Sequence, residues 1–327
     1  MGGGAIAVGE ARGAFLQEER PHQTRQTPRP LSGAVVLITS LAAGATAGAV
    51  AKTVIAPLDR AKIRFQTTEI PYTTRAAVQF LVNSAKTEGV VALWRGNSAT
   101  MARIIPYAGI QFAAHEQWKK LFGIDTPAAA QEHPIRLLIV GSLAGVTSQS
   151  ATYPLDFARA RMAVSPKSEY GSLRVVFIRV AREEGIRTLY RGYPATIMGV
   201  IPYAGVSFFT YDTLKRWYSE HFGSPATGFT NIALGGTAGA LAQTASYPLD
   251  IVRRRMQTAR RNTDLSYPCP SIVQTLAHIY RVDGWRGFFK GLSMNWVKGP
   301  IAVGVSFATY DFSKTILRDF AHTIQGS

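Results

Sequence analysis

The 327 residues carry 36 Lys and Arg against 20 Asp and Glu, a formal charge of +16, with 46% hydrophobic residues and one cysteine. The lone Cys269 excludes an internal disulfide and a CxxC metal or redox site. A balance this basic suits nucleic acid or an anionic membrane, and the placement of the charge separates the two.

Residues 1–32 are rich in Gly, Pro, Arg and Gln and lack the apolar stretch of a secretory signal. Glu10, Glu18 and Glu19 also speak against a cleaved transit peptide, so a disordered tail is expected. Residues 33–56 follow with Lys52 as their sole charge, and then Pro57-x-Asp59-x-x-Lys62-x-Arg64. A short amphipathic piece, Arg75–Lys86, sets Ala77, Phe80 and Leu81 on one side, as a helix lying along an interface does. It leads to Glu88-Gly89 and the triplet Trp94-Arg95-Gly96. Residues 97–115 hold only Arg103, and His115-Glu116-x-x-Lys119 closes the unit.

The unit then recurs. Residues 137–155 are uncharged and run into Pro154-Asp156-Arg159-Arg161, followed by Glu184-Gly185 and Tyr190-Arg191-Gly192. Residues 193–211 are uncharged and end at Tyr211-Asp212-x-x-Lys215. In the third copy, uncharged residues 229–249 lead to Pro248-Asp250-Arg253-Arg255, Asp283-Gly284 and Phe289-Lys290-Gly291. Residues 292–310 hold only Lys298 before Tyr310-Asp311-x-x-Lys314. The three prolines lie 97 and 94 residues apart, so this is one body of three repeats.

Six nearly uncharged stretches of about 20 residues have the length of a helix that crosses a bilayer. The mean hydropathy of +0.04 is low for a membrane protein. Ser, Thr, Gln and Gly within the spans account for it if one face of each helix meets water. Residues 60–95 hold six bases against two acids, 157–191 eight against three, and 251–290 eight against two, nearly the whole net charge. All three segments fall on one side of six spans, as the positive-inside tendency requires. The expected fold is an all-α membrane protein of six transmembrane helices in three pseudo-threefold repeats, with three short helices on the basic side. Repeats are expected at 33–122, 135–222 and 229–321, with a C-terminal tail at 322–327.

Within each repeat the first span should bend at its proline, which removes a backbone hydrogen bond. Gly44/Gly48, Gly141/Gly145 and Gly235/Gly239 share one register ahead of the prolines, and such pairs let helices approach closely in lipid. The aromatic-base-Gly triplets combine open helix amides with a base, which suits a lipid phosphate. Asp59 and Lys62 lie three apart and could pair privately within their helix. Threefold geometry offers another solution, in which Asp59, Asp156 and Asp250 take Lys62, Arg159 and Arg253 from neighbouring repeats. Glu116, Asp212 and Asp311 with Lys119, Lys215 and Lys314 repeat the pattern at the other end. Charges at membrane depth are expensive and usually functional, and two rings at opposite ends read as alternately closed gates. The mid-span charges Lys52, Arg103 and Lys298 are all cations, so the ligand between the gates should be anionic. Long cations can also snorkel to an interface, and that reading stands beside the first.

Together these elements resemble the mitochondrial carrier family over residues 33–321. Segments 100–112, 245–259 and 291–307 are similar to its coenzyme A-carrying branch. The resemblance implies a monomeric, multi-pass protein of the mitochondrial inner membrane with a central site and alternating access. It implies coenzyme A or dephospho-coenzyme A as substrate, exchanged for adenine nucleotides such as ADP or adenosine 3′,5′-bisphosphate. ADP/ATP carriage and proton leak are the alternatives. The family's contact positions match Arg103, Gly199-Val200 and Lys298, and Lys52 matches a cavity lysine. The first ring becomes the matrix gate, with Gln66 and Gln257 as braces and Ala163 where a third would stand. The second becomes the cytoplasmic gate, with braces Tyr211 and Tyr310 and with His115 in the first repeat. Cardiolipin is implied at Trp94, Arg95, Gly96, Tyr190, Arg191, Gly192, Phe289, Lys290 and Gly291. No HExxH, GxxxxGK[S/T] or GxGxxG occurs, so no enzyme, cofactor, metal site or nucleic-acid partner is expected.

Overall fold

A computed structural model describes residues 32–124, 126, 129, 132–224, 226–259 and 271–326. The N-terminal tail up to residue 31 and Cys269 lie outside the described residues. Among those described there is no strand. Six long helices are α1 (Gly33–Thr67), α3 (Asn97–Leu121), α4 (Pro134–Val164), α6 (Tyr193–Phe222), α7 (Gly228–Thr258) and α9 (Leu292–Gly326). Three short ones follow the odd spans: α2 (Thr74–Glu88), α5 (Leu173–Glu183) and α8 (Ile272–Asp283). Each short helix starts from a hydroxyl cap, Thr73, Ser172 and Ser271, which accepts the amide of the residue three further on. A single 3₁₀ turn joins each to the next span, at Val90–Trp94, Ile186–Tyr190 and Trp285–Phe289.

The longest interfaces run between repeats. α3 packs on α4, α6 on α7 and α9 on α1, so the last span closes the ring against the first. Pro57, Pro154 and Pro248 lie inside α1, α4 and α7. The carbonyl of Thr53, which loses its usual donor to Pro57, accepts the Trp94 indole N–H at 2.8 Å. The apolar core sits below the prolines. There Ala61 and Phe65 pack over Ala77, Phe157 and Met162 over Val176 and Val180, and Ile251 and Met256 over Ile279. Higher up, large apolar side chains such as Ile105, Phe112, Ile201, Phe209 and Phe229 are exposed, as a lipid-facing wall requires.

The structure departs from two expectations. α9 continues to Gly326 through the segment expected to be a tail, because no Pro or Gly stands between Gly304 and Gly326. The glycine pairs do not pack closely. A Cβ added at Gly44, Gly48, Gly141, Gly145 or Gly239 meets nothing within 4 Å, and at Gly235 only Tyr211 at 3.9 Å. Gly141 and Gly145 instead line a cavity enclosed by α4, α6 and α7. By length and composition, among the described helices only Val35–Thr67 is apolar enough to count as a span. α4 and α7 carry polar residues that face this cavity, such as Gln149, Gln243 and Ser246.

Candidate substrate cavity and its two charged rings

Below the cavity the three proline bends bring the motif charges together. Lys62 Nζ lies 2.9 Å from Asp250 Oδ2, Arg159 pairs with Asp59 and Arg253 with Asp156. Each acid takes the base of the following repeat, so the private pairing within one helix is not adopted and the ring closes. Asp59, Asp156 and Lys62 are buried. Gln66 Nε2 donates to Asp250 Oδ2 at 3.2 Å. Gln257 Nε2 donates to Asp156 Oδ2 at 3.0 Å and to the Tyr153 hydroxyl at 2.9 Å. Bare charges at this depth would be prohibitive, and mutual pairing plus amide donors is what makes them tolerable.

At the opposite end the equivalent charges stay within their own helices. Lys119 Nζ is 3.4 Å from Glu116 and the His115 ring 3.8 Å from it. Lys215 and Lys314 lie over the rings of Tyr211 and Tyr310. Tyr211 donates to Asn231 Oδ1 at 3.5 Å, not to a ring member. Among the described residues no ion pair joins Glu116, Asp212 or Asp311 to another repeat. One ring is made and the other is not.

The cavity between them measures about 730 Å³. Gly199 and Val200 line it, with Tyr107, Gln149, Tyr203 and Gln243, and ring members Asp250 and Arg253 reach it. Arg103 sits at its edge. Its guanidinium donates to Gln149 Oε1 at 2.6 Å and to Thr152 Oγ1 at 3.2 Å. It lies 3.8 Å from Asp156 and 4.6 Å above the Tyr107 ring. Lys298 Nζ is 2.8 Å from Asp59 Oδ1. Lys52 is exposed, with no hydrogen bond or ion pair among the described residues. The cations therefore divide: two are tied to the closed ring and one is free. Neither Arg103 nor Lys298 snorkels to the basic surface.

Sequence reasoning missed Gln149 and Gln243. Both stand five residues before their proline, as Lys52 does before Pro57, so the repeat register held the signal. It also missed where the triplet bases point. Arg95 donates to the carbonyls of Met162 and Tyr170, each at 3.2 Å. Arg191 donates to Ala259 O at 2.9 Å and Lys290 to Thr68 O at 2.9 Å. Each base thus caps the end of the next repeat's odd helix, where carbonyls lack partners. Burial lowers the Lys290 ammonium pKa, with Asp283 acting against it. The triplet glycines have φ between 79° and 85°, and a Cβ at Gly96 or Gly192 would come within 3.0 Å of a neighbouring repeat's carbonyl. The acid of each acid-Gly pair holds an arginine: Glu184 grips Arg161 at 2.9 and 2.8 Å, and Asp283 pairs with Arg255. In the first repeat Glu88 takes Arg60, at 3.1 Å, in place of the equivalent Arg64.

Three repeats, six spans and a central cavity over a ring of interlocked charges define a membrane carrier. A family model described as mitochondrial carrier protein matches residues 34–126, 130–222 and 224–321. The chain belongs to that family, multi-pass proteins of the mitochondrial inner membrane. It is 52% identical to the mitochondrial coenzyme A transporter SLC25A42 of Homo sapiens, over 86% of this chain and 89% of that protein. It is 48% identical to that of Danio rerio over 97% and 96%. To the mitochondrial carrier protein CoAc1 of Zea mays it is 35% identical over 86% and 88%.

Proposed function

We propose that this chain is an antiporter that moves coenzyme A, and related forms such as dephospho-coenzyme A, in exchange for ADP or adenosine 3′,5′-bisphosphate. The observation that carries the reading is a cavity above a closed ring of charges, with Arg253 in its lining and Arg103 bonded to its Gln149, and with the opposite ring unmade. A volume of about 730 Å³ falls within the range of small-molecule sites. Lys52 and Arg103 meet phosphate charge, Gly199 and Val200 leave a flat wall for the adenine, and Lys298 meets a further phosphate. The similarity to proteins named as coenzyme A transporters supports this choice of substrate.

The lower ring serves as the matrix gate and the upper as the cytoplasmic gate. A charge pair near 4 Å is worth about 4 kcal/mol at an effective dielectric of 20, before desolvation is subtracted. Three such pairs hold a gate, and a ligand opens it only by binding the intermediate better than either end state. That condition favours obligatory exchange. When the upper ring is made, Gly44, Gly48, Gly141 and Gly145, where an added Cβ would meet open space, supply surfaces on which the spans close. The carrier acts as a monomer. Cardiolipin phosphate is met by the open amides at the starts of α3 and α6, which no side chain caps, since the triplet bases are engaged elsewhere.

Purified protein in liposomes preloaded with each candidate tests the reading. Uptake of labelled coenzyme A against internal ADP is expected, with none into empty liposomes. Uptake of ADP alone, or proton flux without counter-substrate, would overturn it.

A further inference from the structure

Asp59, Asp156 and Asp250 are equivalent by repeat, and each accepts a base from the next repeat. Their additional donors are not equivalent. Asp250 and Asp156 each have a glutamine amide, from Gln66 and Gln257, and both glutamines are fully buried. The position that would serve Asp59 is Ala163, which offers no donor. A void of about 10 Å³, room for no more than a water, lies there against Asp59, Arg159 and Ala163. Asp59 is nonetheless served, by Lys298 Nζ at 2.8 Å on Oδ1. That ammonium comes from α9, on the side of α1 opposite to the repeat that supplies Arg159.

We infer that Lys298 is the third brace of the closed ring, standing in for the amide absent at position 163, and that the transported anion removes it. Gln66 and Gln257 have no access to solvent, so a ligand in the cavity cannot reach them. The Lys298 side chain keeps 23% of its surface accessible. An ammonium is a point charge with three donors on a flexible stem, and it can turn from a carboxylate to a phosphate without a change of backbone. A doubly charged phosphate competes well for it, because Asp59 retains Arg159. Transfer of Lys298 leaves the junction between α1 and α4 with one ion pair and no brace, while the other two junctions keep theirs. The ring therefore yields first at Asp59–Arg159, and only when an anion occupies the cavity. This inference rests on the reading of the cavity as an anion site.

The test combines thermal unfolding of the substrate-free protein with exchange in liposomes. K298Q should lower the substrate-free melting temperature by about 2–4 °C. A163Q supplies a brace that no ligand can withdraw. It should raise the melting temperature and slow coenzyme A exchange about threefold in maximal rate, with KM little changed. The A163Q/K298Q double variant should recover the wild-type melting temperature yet fail to transport. An unchanged melting temperature in K298Q, or no recovery in the double variant, would overturn the inference. Should A163Q not fold, a cycle of K298Q, D59N and their double variant decides: non-additive shifts support the contact and additive ones sink it. Failure of the wild type itself to exchange coenzyme A would instead refute the proposed function and leave the melting comparison standing.

Discussion

Replacing Arg103 by alanine should nearly abolish exchange without unfolding the protein. The guanidinium already donates at 2.6 and 3.2 Å to Gln149 and Thr152, both neutral groups. Its ion pair with Asp156 is long, at 3.8 Å. A phosphate would offer the same fork two charge-assisted bonds of about 1.5–3 kcal/mol each. Returning Gln149 and Thr152 to other partners offsets part of this, leaving about 3 kcal/mol, or roughly a 100-fold loss of uptake efficiency in R103A. Asp156 keeps Arg253 and Gln257, so the melting temperature should stay within about 3 °C of wild type. R103K keeps the charge but not the fork and should recover about tenfold of the loss. The measurement is the initial rate of labelled coenzyme A uptake into preloaded liposomes. Folded R103A working within threefold of wild type would show that the reasoning is wrong.

Replacing Gln257 by leucine strips donors from both Asp156 and the Tyr153 hydroxyl in a fully buried site. It should cost about 1–3 kcal/mol, seen as a melting temperature lower by several degrees. G192A forces a side chain into φ 84° and within 3.0 Å of the Arg253 carbonyl, so it should lower folded yield more than G141A, whose Cβ meets open space. D156N should depress both the melting temperature and the exchange rate. D212N, at a position without a cross-repeat ion pair here, should slow exchange while leaving the melting temperature of this conformation unchanged. Equal thermal effects from the two substitutions would contradict the assignment of one made and one unmade ring.

The threefold repeat, the six spans and the residues of the closed ring were legible in the chain. Each rests on one-dimensional information: a recurring proline-acid-base order, stretches without charge, and basic segments at matching places. Periodicity of that kind survives without coordinates because every copy must satisfy the same local geometry. The direction of pairing did not survive, since a ring can close with each acid taking its base from either neighbouring repeat. Only the packed bundle decided that Asp59 meets Arg159, that the triplet bases turn to neighbouring helix ends, and that Lys298 fills in for the amide missing at Ala163. These partners lie between 67 and 239 residues apart along the chain, and their meeting depends on how far three bent helices converge. That convergence is a property of the assembled bundle, which no single repeat contains.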